Sequence, residues 1–145
     1  MIQIKNKVTR PNACIEEQDL RDLEQEYNFK FPEDIKQFYL KYNGGRLEKD
    51  SYVVQDDTFI FQEFYSIKIG YSTLNDKLDS NYADDWCPKE LIPFGYDGGG
   101  NSYCFHINNG KIYYIYEDDC DDDGNVPIEY VAPDFLSFIN NMVEE

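Results

Sequence analysis

Apolar residues first recur at helical spacing between Ile15 and Tyr27, where Ile15, Leu20, Leu23 and Tyr27 are set among polar positions and Glu16, Glu17 and Asp19 crowd the start. Acids are favoured near a helix N-terminus by the backbone dipole, so this stretch predicts a short amphipathic helix. A second helix is marked by Pro32-Glu33-Asp34, with proline at the first helical position, and by Ile35, Phe38, Tyr39 and Tyr42 on one face. Asn43-Gly44-Gly45 follows at once, and either glycine can take the left-handed conformation that closes a helix.

The period then changes. Ser51 to Val54 and Thr58 to Phe61 are short, β-branched and aromatic, and predict a hairpin across the turn Gln55-Asp56-Asp57. From Tyr65 to Trp86 the signal is weaker, with Leu74 and Leu78 predicting one helix flanked by loop. Leu91-Ile92-Pro93-Phe94 leads into the glycine-rich stretch from Gly95 to Asn101. Ser102 to Ile107 and Lys111 to Tyr116, joined by Asn108-Asn109-Gly110, predict two antiparallel strands central to a sheet. Pro133-Asp134 opens a last helix with an apolar stripe of Phe135, Phe138, Ile139 and Met142. Helices first, then mainly antiparallel strands, then a helix define an α+β class, with the N-terminal helices and the C-terminal helix packed on one face of the sheet. A chain of 145 residues can bury a core of its own, and residues 1–145 are expected to form one domain.

Charge narrows the functions available. Twenty-nine acids against thirteen Lys and Arg leave a net charge of −16, which repels nucleic-acid backbones and anionic lipid and draws in a basic protein. Nucleic acid and membrane are therefore not expected as partners, although acidity also serves plain solubility. No apolar run approaches the roughly 18 residues that cross a bilayer. The stretch Met1 to Lys7 lacks the apolar core of a secretory signal, so a soluble cytoplasmic protein is expected. Cys14, Cys87, Cys104 and Cys120 lie far apart without zinc-type spacing, which predicts free thiols, mostly buried, and no structural metal.

Motifs for catalysis are equally sparse. Gly98-Gly99-Gly100 lacks the lysine, spacing and following helix of a phosphate loop, and reads as a tight turn needing positive φ. Asp119, Asp121, Asp123 and Gly124 match the start of a calcium loop, but Tyr130 stands where the bidentate glutamate belongs and Pro127 intrudes. That argues against a dedicated site and leaves weak calcium binding by clustered carboxylates open. His106, the only histidine, shares a strand face with Cys104, a spacing that packing or surface placement explains better than a dyad does. No catalytic residue, metal or cofactor is predicted. Two readings remain for the acidic loop from Glu117 to Asn125: a solvated charge run, or a docking patch for a basic protein. Aromatic residues make up 17% of the chain, and Trp86, Tyr96, Tyr113 and Tyr116 adjoin acidic or glycine-rich loops. The candidate partner-binding set is accordingly Trp86, Tyr96, Glu117, Asp118, Asp119, Asp121, Asp122 and Asp123.

The order of these motifs resembles the SUKH superfamily, which includes a fungal regulator of cell-wall synthesis and many bacterial immunity proteins. The resemblance is carried by the helix Ile15 to Tyr27, by Phe31-Pro32-Glu33-Asp34-Ile35-Lys36-Gln37-Phe38-Tyr39, by Asn43-Gly44-Gly45 and by Ile92-Pro93-Phe94-Gly95. Gly98-Gly99-Gly100-Asn101-Ser102-Tyr103-Cys104-Phe105, Ile112-Tyr113-Tyr114 and the stretch from Ala132 to Ile139 complete it. Phe31, where leucine usually precedes the proline, and His106, where an acid is frequent, depart from the pattern. The resemblance implies an α+β fold. For bacterial members it also implies neutralisation of a cognate toxin protein, often a nuclease, which the acidity of this chain leads one to expect to be basic; for fungal members it implies a regulatory or scaffolding role. It carries no catalytic residues to transfer, and oligomeric state stays unspecified.

Overall fold

The computed structural model describes residues 3–84, 88–117, 119 and 126–144, with side chains for all of these but 82–84. Helix α1 (Glu17–Tyr27) buries Leu20, Leu23 and Tyr27. It starts two residues later than the apolar spacing suggests, because the Glu16 N–H donates to Asp19 Oδ2 at 3.0 Å and makes Glu16 the N-cap. Ile15 joins the core from outside the helix. Helix α2 (Glu33–Lys41) buries Ile35, Phe38 and Tyr39, with Pro32 as its N-cap rather than its first helical residue.

The glycines after α2 do not close it. The helix ends on an extended Tyr42, and Gly44 and Gly45 follow with φ of +82° and +104°. Their use is close approach: a Cβ on Gly45 would stand 2.6 Å from the Thr9 carbonyl oxygen. That approach lets β1 (Val8–Thr9) pair antiparallel with β2 (Arg46–Leu47). Asn43, only 1% exposed, ties three segments together. Its Nδ2 donates to Ala13 O at 2.9 Å and Ile67 O at 3.0 Å, while its Oδ1 accepts from the Ile67 N–H at 2.6 Å.

The predicted hairpin forms from β3 (Ser51–Val54) and β4 (Asp57–Ile60). Val54 pairs with Asp57, so the turn is Gln55-Asp56, one residue shorter than expected, and Asp57 belongs to the strand. The main sheet is antiparallel in the order β5 (Glu63–Phe64), β6 (Leu91–Tyr96), β7 (Ser102–His106), β8 (Ile112–Ile115) and β9 (Ile128–Ala132). The two predicted strands are β7, at its centre, and β8 beside it. β1, β2 and β5 carried no sequence signal, since strands of two residues offer no alternation to read, and β9 carried none because its exposed positions are the apolar ones. Helix α3 (Leu74–Asp84) packs nearest β6, and α4 (Phe135–Asn140) is capped by Asp134, whose Oδ1 accepts from the Ser137 N–H at 2.7 Å.

Alternation along β7 divides the core between the two faces of the sheet. Tyr103 and Phe105 face the helices, with Tyr103–Phe138 ring centres 5.2 Å apart and Phe31–Phe105 5.8 Å apart. Phe94 meets Phe135 edge to face at 5.4 Å, which seats α4 on the same face. Cys104 points the other way, into a smaller cluster with Leu91 and Ile115. Cys104 is buried as expected, but Cys14 is exposed; Cys87 and Cys120 lie outside the described residues. No described helix is long and apolar enough to cross a membrane.

Candidate partner-binding site

One end of the sheet gathers most of the chemistry. Across that end the register runs Glu63, Tyr96, Ser102, Ile115, Ile128 from β5 to β9. The glycine-rich connection 97–101, which holds Asp97, and the acid-rich connection 116–127 therefore leave the sheet at the same end, and the antiparallel order alone brings them together.

Asp97 organises the first connection. Its Oδ1 accepts from the Gly99 and Asn101 N–H groups, each at 2.9 Å, and its Oδ2 accepts from the Tyr114 hydroxyl. Within the glycine run only Gly100, at +87°, needs positive φ, as the tight-turn reading requires of at least one of them. Glu117 opens the second connection and is committed to the interior: Lys77 Nζ lies 2.7 Å from its Oε1, and Ser102 Oγ donates to its Oε2. Its side chain is 12% exposed, so this acid ties the loop to α3 and β7. Tyr96 packs against Tyr65 with ring centres 5.0 Å apart and donates to Glu63 Oε1 at 3.2 Å, while Arg46 pairs with the same carboxylate oxygen at 3.4 Å. Asp119 is exposed. Trp86, Asp118, Asp121, Asp122 and Asp123 lie outside the described residues, as do three of the four positions of the calcium-loop match.

Beside these groups lies a cleft that sequence reasoning missed. It holds about 280 Å³ and is lined by Asp57, Asp97 and Glu129 together with Tyr103, Tyr114 and Tyr116. Tyr103 donates to Ile60 O at 2.6 Å and Tyr116 donates to Glu129 Oε1 at 2.5 Å. The Glu129 carboxylate accepting that proton pushes the Tyr116 hydroxyl up to about 12, and burial is the main cause of the upward shifts of Tyr103 and Tyr114. All three phenols are thus neutral donors at neutral pH. Asp57, Asp97, Asp119 and Glu129 pair with no cation among the described residues. An acidic cleft walled by tyrosine rings suits a guanidinium or ammonium group. Tyr116 was legible as an aromatic beside an acidic loop. Asp57 was hidden as a turn residue, and Glu129 in a strand without a pattern.

The remaining candidates sit elsewhere. Tyr113 lies on the opposite face of the sheet, its ring 5.8 Å from Tyr130 and 6.1 Å from His106. His106 Nδ1 accepts from the Asn108 N–H at 3.1 Å, which assigns the imidazole to the turn, while Cys104 is packed in the small cluster. Among the described residues no group of three His, Cys, Asp or Glu side chains is arranged to hold a metal ion.

Fold and site together define an α+β protein built on a five-stranded antiparallel sheet, with acids and tyrosines concentrated at one end. Residues 14–141 match the SMI1/KNR4 family (SUKH-1), and the chain belongs to that family. It is 28% identical to the SPbeta prophage-derived uncharacterized protein YokK of Bacillus subtilis (strain 168), over an alignment that covers 88% of this chain and 74% of that relative.

Proposed function

We propose that this protein is an immunity protein that binds a cognate toxin in the cytoplasm and neutralises it without catalysing a reaction. The observation that carries the reading is the acidic, tyrosine-lined sheet end in a member of the SMI1/KNR4 family. Four of its carboxylates have no cation partner among the described residues, so a basic toxin surface would supply their counter-charge. The prophage origin of the B. subtilis relative accords with a gene carried for conflict. A regulatory scaffold for an endogenous protein is the second reading, favoured by the same family's SMI1/KNR4 membership.

Co-expression with the toxin gene encoded beside it tests the first reading: growth is restored and a stable complex is recovered. If neither occurs and an endogenous partner is pulled down instead, the scaffold reading holds. Within a complex, Asp57→Asn, Asp119→Asn and Glu129→Gln together slow association at low salt and flatten its salt dependence, because rim charges act mainly on the on-rate. An unchanged on-rate moves the interface off this end of the sheet.

A further inference from the structure

We propose that the outer edge of β9 is a docking edge for an extended, basic segment of a partner protein, which adds to the sheet as a sixth strand. The inference rests on the partner-binding reading above and narrows it to one edge and one backbone geometry.

The two edges of the main sheet differ. At β5 the Phe64 N–H donates to Gly45 O at 2.9 Å, so the glycine segment beside β2 already covers that edge. β9 pairs only with β8 among the described residues. An antiparallel edge strand turns alternate N–H and C=O groups away from its neighbour, and these bind an incoming strand unless proline, a bulge, charge or a covering element prevents it. The register shift that pairs Ile112 with Ala132 but Tyr113 with Tyr130 irregularises only the far end of β9. Residues 128–130 continue the regular ladder. Pro127 stands before the strand, not within it.

The side chains select the occupant. Ile128 and Tyr130, 41% and 49% exposed, lie opposite Ile115 and Tyr113 on one face and offer apolar contact. Glu129, opposite Tyr114, points to the other face at the rim of the cleft that also holds Asp57 and Asp97. A strand laid along β9 therefore meets an apolar row on one face and carboxylates on the other. Alternating Lys or Arg with aliphatic residues complements both. A second copy of this chain does not fit: an antiparallel pair centred on 128–130 sets Glu129 against Glu129, and each copy carries a net charge of −16.

The test uses the full chain and a capped synthetic peptide, Lys-Val-Lys-Val-Lys-Val-Lys, beside an analogue N-methylated at the backbone amides of one edge. Binding and amide hydrogen exchange are followed by NMR at low salt. The unmodified peptide is expected to slow exchange at alternate amides within 128–132. It should bind about tenfold more tightly than the methylated analogue, the equivalent of one to two backbone hydrogen bonds. Glu129→Gln should weaken it, with changes in the free protein's spectrum confined to the surroundings of Tyr116 and the cleft. Equal affinity for the two peptides, no binding of either, or protection confined to other segments overturns the proposal. Protection of 128–132 that rises with protein concentration alone assigns the edge to a second copy and overturns it too. Since no toxin is present, loss of growth rescue and loss of strand addition are read independently.

Discussion

Asn43 holds together the N-terminal segment, the end of α2 and the approach to α3 through three hydrogen bonds from one buried side chain. Asn43→Ala strands the Ile67 N–H away from water, whereas the Ile67 C=O keeps the Ile69 N–H as a donor at 2.6 Å, and an unmet buried group costs about 1–3 kcal/mol. A loss of about 2 kcal/mol is expected, measured as a lower urea midpoint with an unchanged slope. Asp34 makes the opposite case. Burial raises its carboxyl above the ordinary 3.8, and the charge of Asp134 adds to the shift. Between the unfolded and folded values the folded chain holds more protons, so stability falls as pH rises through that window and stays lowered above it. Asp34→Asn keeps an oxygen to accept from the Ile35 N–H, which Asp34 Oδ1 does at 2.8 Å. The variant should melt at a higher temperature than the parent at pH 7 and at the same temperature below about pH 3, where both side chains are neutral.

At the scale of elements, β6 is shaped by a glycine. The β6–β7 register shifts between Pro93 and Gly95, and a Cβ on Gly95 would lie 2.4 Å from the Phe61 ring and 3.0 Å from Glu63 O. Phe61 is locked by Phe64, Phe94, Tyr103 and Phe138, so it cannot yield cheaply. Gly95→Ala should cost about 1–3 kcal/mol by overpacking, seen in chemical denaturation, and shift the NMR signals of the Phe61 ring. α1, α2, α4, the hairpin, β7 and β8 were legible because each carries several apolar positions at one spacing, and periodicity accumulates. Their ends were less so. Asp57 read as a turn residue because polar side chains suit turns, yet its pairing with Val54 decides that it is strand. β9, with exposed Ile128 and Tyr130 beside half-buried Glu129, reverses the usual relation of apolarity to burial and left no pattern to find.

Over the whole molecule, a surplus of sixteen negative charges opposes compaction, and the sheet end concentrates part of it. Raising NaCl from about 10 mM to 0.3 M shortens the Debye length from roughly 30 Å to under 8 Å. Melting should move up by about 3–6 °C, which corresponds to about 1 kcal/mol of relieved repulsion in a domain of this size. A fall in melting temperature would mean that the few ion pairs outweigh the surplus. Sequence alone determined the α+β class, the main helices, the central strands and the acidity, because propensity, periodicity and charge are local or additive properties of the chain. The family resemblance was legible for the same reason, in motifs that are contiguous. Only the tertiary structure decided which acids are spent and which are free. Glu117 looked like part of a docking loop until Lys77 and Ser102 closed on it. Asp57, Asp97 and Glu129, seventy-two positions apart at their extremes, became one cleft because antiparallel register and hairpin packing bring distant residues to a common end of the sheet.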